Sequence, residues 1–303
     1  VVEDWNLVKD RLLFIDILRI IGITLVVSQH VITDSGLWSS LRQFYFNISI
    51  FDIYHVYYGN IGIWLFIFAS GCSLALNHRD VDTLAKAKDF YAKRLLRIYP
   101  VYWAAILFNL AVLNRVIPAL SIRDYIEMFS GFQAFFASTL NDFYGKVNGA
   151  FWFVGVMVSL YLLYPILLVM IRKHPHLSLL TFLVVAVFSR VVMNQLPWVR
   201  GYDWFPLCRL FEFGLGIYLI QTGLYLKITN PNSVIAYMSN TSFHVYLVHL
   251  PLLVLIPYNV ILFLVTTLVI SGMLYAFDNA LKQFINTQVK NILSRLMKLK
   301  RTS

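Results

Sequence analysis

The sequence predicts an all-α integral membrane protein, a multi-pass helical bundle with both termini cytoplasmic, and three observations lead there. Of its 303 residues, 59% are hydrophobic and 13% charged, with a mean hydropathy of +0.69, which leaves too little polar surface for a soluble domain of this length. Apolar runs of about 20 residues, enough to cross a hydrocarbon core, recur from end to end. Lysine and arginine gather in alternate connections, the asymmetry expected of cytoplasmic loops. No polar stretch is large enough to fold separately, so residues 1–281 read as one transmembrane domain and 282–303 as a basic tail.

The first run, 12–32, is too long and too charged for a cleavable signal peptide and is expected to stay as a span. Runs at 58–77 and 97–115 follow, separated by a basic stretch holding Arg79, Lys86, Lys88, Lys93, Arg94 and Arg97. The segment 121–140 is aromatic but carries Arg123, Asp124 and Glu127, and is expected to lie in the interface or to re-enter. Runs at 150–172, 177–196, 204–223, 236–256 and 258–277 bring the hydropathy count to eight. With the N-terminus inside, seventeen of the 25 lysines and arginines fall on the inner side and five on the outer. A full span at 121–140 would turn Arg172 and Lys173 outward and spoil that pattern. The two long outer loops are then 33–57 and 116–149. The tail spaces apolar residues at 285, 289, 292, 293, 296 and 299 among lysines and arginines, the pattern of an amphipathic helix on the lipids of the anionic inner leaflet.

The net charge of +10 is concentrated at one membrane face, and no nucleic-acid-binding signature accompanies it, so no nucleic-acid partner is expected. Cys72 and Cys208 both sit in apolar runs, which argues against a disulfide framework or a metal site.

Inside the first span, DILRIIGITLVVSQH carries Asp16, Arg19 and His30. At about 100° per residue the three share one helix face, and His30 stands about 16 Å beyond Arg19. A charge at mid-membrane costs at least about 2.5–3.5 kcal/mol, so such groups face the bundle interior. The stripe therefore marks a path from the inner to the outer side, with Asp16 expected to orient or neutralise Arg19. In KRLLRIYPVYW, Arg94 and Arg97 lie one turn apart at the inner end of the third span. Guanidinium forks suit phosphate groups, such as those of a cytosolic coenzyme A thioester.

Together these stretches resemble acyltransferase family 3, multi-pass membrane proteins that O-acylate cell-envelope glycans. The resemblance rests on Arg19 followed by ten residues and His30, with Asp16 three residues ahead; on Ser70–Gly71; on Arg94-Leu-Leu-Arg97 with Pro100; on FWFVGVMVSLYLLYP at 151–165; on RLFEFGLGIYL at 209–219; and on SNTSFHVYLVHLP at 239–251. It implies eight to ten spans and a place in the cytoplasmic membrane. It further implies transfer of an acyl group, acetyl by preference, from acetyl-CoA or another acyl-CoA to a hydroxyl of an envelope saccharide or lipid-linked glycan. His30 would be general base or nucleophile, Arg19 the stabiliser of developing charge, and Arg94 and Arg97 the donor's phosphate ligands. His249 and Tyr246 would lie on the acceptor side, and outer-loop aromatics, Trp38, Tyr45, Tyr54, Tyr57 and Tyr58 among them, could stack on sugar rings, although an aromatic interface belt is the first reading for most of them. The chain departs from the family in having Met157 and Val158 where an acidic residue is common, and Ile17 and Leu18 where a glycine is. The competing reading is a polysaccharide exporter or proton-coupled secondary transporter without acyl transfer, for which the same charged stripe would serve as a proton relay.

Overall fold

The computed structural model describes residues 11–34, 50–81, 83–113, 120–136, 148–195, 204–229, 232–257 and 259–302. Ten α-helices are formed among them: α1 (Leu13–Asp34), α2 (Ile50–Asn77), α3 (Leu84–Leu113), α4 (Ile122–Ser130), α5 (Gln133–Phe136), α6 (Trp152–Lys173), α7 (Pro175–Gln195), α8 (Leu210–Thr222), α9 (Ser233–Leu255) and α10 (Val260–Thr302). The single extended contact among the described residues is a bridge between Leu12 and Thr229, which ties the entry of α1 to the segment after α8.

Six helical segments are long and apolar enough to cross a membrane: Leu13–Ile32, Gly59–Asn77, Ala85–Leu113, Gly149–Lys173, Pro175–Gln195 and Val260–Ile285. Two expected spans fall short of that description. α8 has only 13 residues, about 20 Å of helix, preceded by the 3-10 turn Pro206–Arg209 and closed by Gly223 at φ 73°. α9 has the length, 23 residues, but its buried positions include Ser239, Thr241, Ser242, His244 and His249, and it packs against α1 and α10. Its polarity faces protein, where hydrogen bonds are available, so a hydropathy window undervalues it.

The described part of the segment at 121–140 folds as two short helices, α4 and α5. Ser121 and Asp124 form a reciprocal cap at the start of α4, and Gly131 ends it at φ 82°, a left-handed turn that glycine adopts without strain. The carbonyls left open at that end accept hydrogen bonds from aromatic residues of α3: Tyr102 Oη to Met128 at 2.7 Å, Trp103 Nε1 to Phe129 at 2.9 Å and Tyr99 Oη to Ser130 at 2.8 Å.

α1 and α2 run antiparallel, since Gln29 Oε1 accepts from the Gly59 amide at 2.6 Å while Arg19, ten residues earlier, reaches Ser73. α2 and α8 cross more closely still. A Cβ on Gly71 would stand 2.2 Å from the Phe213 carbonyl oxygen, and one on Gly216 would stand 2.3 Å from that of Phe68. Two of the motifs read from the sequence, Ser70–Gly71 and the glycine-containing run at 209–219, are therefore the two sides of one backbone contact, of the small-residue kind that membrane helices use. The last helix is the longest, 43 residues, and passes through residue 282, where the tail was expected to begin, without a break.

Candidate active site

The polar residues of α1 divide into two groups. At its start Asp16, 1% exposed, accepts from Arg11 Nε at 2.6 Å and Nη2 at 2.9 Å and from Ser239 Oγ at 2.7 Å. Arg11 continues to Asn240 Oδ1 at 3.2 Å and the Ala236 carbonyl at 2.8 Å. The fork that matches this carboxylate comes from Arg11, which lies just ahead of the helix and folds back over its first turn, while the negative charge of Asp16 still acts on Arg19. Asp16 clamps α1 to α9.

Arg19 instead donates through Nη2 to Ser73 Oγ at 2.7 Å, a hydroxyl that itself donates to the Ala69 carbonyl at 2.8 Å. Arg94 meets His78 Nε2 through Nη2 at 2.5 Å and lies 5.9 Å over the Phe90 ring, while its buried Nε has no hydrogen-bond partner. Arg97 is exposed. The three cations are near enough to repel one another electrostatically, and among the described residues none has a carboxylate at ion-pair distance. The structure thus brings Arg19, Arg94 and Arg97 together around an unbalanced positive charge.

His30, near the other end of α1 and half-buried, faces His249 of α9, ring centroid to ring centroid 5.2 Å. The position of His249 follows from a proline. Pro251 has no amide hydrogen to return to the Leu247 carbonyl, and Asn148 Nδ2 donates to that carbonyl at 3.3 Å. Asn148 also donates to Asn109 Oδ1 at 3.2 Å and caps the Ala150 amide at 2.9 Å. His249 Nδ1 lies 2.7 Å from the Tyr246 carbonyl oxygen, so Nδ1 carries the ring proton and Nε2 the lone pair. Tyr246 stands beside His249, with ring centroids 5.6 Å apart, but its hydroxyl donates to the Ala150 carbonyl and locks α9 to the start of α6. It therefore acts as a strut below the histidine pair.

Met157 and Val158 are buried apolar core, 5% and 4% exposed, so no carboxylate enters the site from that turn. Glu212 has its nearer partner on α7: Arg190 Nη2 lies 2.6 Å away and Arg209 Nη1 3.8 Å. On α9 and α10, buried Asp278 sits 3.4 Å from His244 Nε2 and pairs with Lys282. Among the described residues no three of His, Cys, Asp and Glu converge to hold a metal ion. Trp38 and Tyr45 lie outside the described residues, as do the side chains of Tyr54, Tyr57 and Tyr58.

Sequence reasoning missed Arg11, Ser73, His78, Ser239 and Asn148. Arg11 lies just ahead of the first apolar run and His78 just after the second. Each acts across a helix boundary, where periodicity carries no signal. Pro251 was the one clue available, since a proline inside a helix announces an orphaned carbonyl four residues earlier.

A family model described as an acyltransferase domain matches residues 12–232. No curated protein and no solved structure matches the chain.

Proposed function

The chain belongs to acyltransferase family 3, and from that premise we propose that it is an O-acyltransferase of the cytoplasmic membrane, with both termini cytoplasmic. It moves an acyl group, acetyl by preference, from cytosolic acyl-CoA to a hydroxyl of an envelope saccharide or lipid-linked glycan. The observation that carries this reading is the cluster of Arg19, Arg94 and Arg97 without a carboxylate counter-charge among the described residues. Arg19 and Arg94 are partly withdrawn from water, where a cation is ordinarily paired, and a donor with several phosphates supplies the missing charge.

In this reading the phosphates rest on Arg94 and Arg97, and the pantetheine arm runs along α1 past Arg19 towards His30, about 16 Å away by helix rise. His30 takes the proton of the acceptor hydroxyl as that oxygen attacks the thioester carbonyl. The tetrahedral oxyanion then collapses, the carbon–sulfur bond breaks, and the proton held by His30 passes to the departing thiolate. His249, with its proton on Nδ1 tied to the Tyr246 carbonyl, keeps a lone pair near His30 and supports the imidazolium that forms. Asp16 acts at a distance, by fixing α1 against α9.

The test is release of CoA from labelled acetyl-CoA by the purified chain in detergent, with an envelope glycan extract as acceptor, wild type against His30→Ala. Loss of one general base is expected to cut turnover about 10²–10⁴-fold while acetyl-CoA still raises the melting temperature. Undiminished turnover in His30→Ala removes the histidine from the chemistry. A wild-type chain that neither releases CoA nor is stabilised by it overturns the enzymatic reading.

A further inference from the structure

We propose that His78, on the connection between α2 and α3, is a positioning residue of the donor site: its ring offers Arg94 a neutral acceptor that aims the guanidinium at the donor phosphates without cancelling its charge. The inference rests on the acyl-CoA reading above and extends it to a residue outside the motifs.

A guanidinium has donors only, so the 2.5 Å contact between Arg94 Nη2 and His78 Nε2 requires a lone pair on that ring nitrogen. The ring proton is then on Nδ1 and the imidazole is neutral. Its surroundings keep it so: burial, followed by the charges of Arg94, Lys93 and Arg97, lowers its pKa to about 3. The residue is also held from both ends. Phe90 meets the ring edge-on at 5.3 Å and stacks on Tyr164 at 5.1 Å, while Tyr164 Oη donates to the His78 carbonyl at 2.7 Å. Arg94 lies over the same Phe90 ring, so His78 and Phe90 border the guanidinium and Tyr164 braces them both.

The choice of acceptor matters. A carboxylate in the place of His78 would orient Arg94 equally well, but its charge would compete with an incoming phosphate. A neutral acceptor fixes direction and leaves the cation whole. Arg19 is treated in the same way, by the hydroxyl of Ser73.

The variants that test this are His78→Gln, whose amide reaches the position of Nε2, and His78→Asn, whose shorter amide does not. Both are polar and of similar bulk, so a general folding defect would affect both. KM for acetyl-CoA in the CoA-release assay is expected to rise about tenfold in His78→Asn, the loss of one hydrogen bond to a charged group, with kcat unchanged, and to return to within about threefold of wild type in His78→Gln. In an Arg94→Ala background the Asn substitution should add nothing. Equal KM in both variants, or an undiminished effect without Arg94, overturns the proposal. Inorganic pyrophosphate serves as a second probe, read by thermal melting. Should acetyl-CoA neither bind nor turn over while pyrophosphate protects wild type and His78→Gln but not His78→Asn, the donor assignment fails and the positioning role stands. Equal protection of all three, or of none, removes the role itself.

Discussion

Two arginine clusters lie within the bundle, and they are balanced in opposite ways. Arg190 and Arg209 share the carboxylate of Glu212, at 2.6 and 3.8 Å, and Arg209 is fully buried. Arg19 and Arg94 are anchored by neutral groups, Ser73 and His78. The first arrangement supplies one carboxylate of its own for two cations. The second holds its cations in place and leaves their charge unanswered. Cost follows the same division, because a buried cation with a carboxylate is stable by itself, whereas one oriented by a hydroxyl or an imidazole is stable only where an external anion or water completes it.

The sharpest way to break this comparison is to remove the carboxylate from the first cluster. Glu212→Gln leaves the buried Arg209 and the half-buried Arg190 facing an amide, and should destabilise the chain by about 3–5 kcal/mol, read by denaturant or thermal unfolding in detergent and not recovered with acetyl-CoA. A variant as stable as wild type would show that Glu212 does not balance that cluster. The double variant Arg94→Ala with Arg97→Ala should behave the other way, weakening acetyl-CoA affinity about 10- to 100-fold while the melting temperature of the donor-free chain holds or rises as repulsion is relieved. A melting loss like that of Glu212→Gln would make the second cluster structural as well. The most gradual effect belongs to pH. His78 is held near pKa 3 in the fold against about 6.5 in an unfolded chain, so its contribution to stability is fully present above about pH 6.5 and drains as pH falls towards 3. The slope is at most about 1.4 kcal/mol per pH unit, and His78→Gln should flatten it.

The bundle was legible in the sequence where helices bury themselves in lipid. Long apolar runs announce α1, α2, α3, α6, α7 and α10 because lipid demands continuous hydrophobicity. α9 was anticipated as a span, although its serines, asparagine and histidines face α1 and α10, where the demand is for hydrogen bonds. The site was legible by type but not by pairing. Asp16, Arg19, His30, Arg94 and Arg97 could be singled out as ionisable groups at membrane depth, since such groups are expensive. That Asp16 belongs to Arg11, Arg94 to His78 and Glu212 chiefly to Arg190 depends on three-dimensional placement, and the glycines that set the α2–α8 crossing, Gly71 and Gly216, likewise carry no chemical mark of each other.

The 43 unbroken residues of α10 extend about 65 Å, roughly twice the thickness of the hydrocarbon core. Of these only Val260–Ile285 has the apolar character of a span, so the remaining residues carry the same helix beyond the hydrocarbon core. Rods of this kind magnify angle: a tilt of a few degrees where Asp278 meets His244 becomes a sideways sweep of several ångströms at the far end.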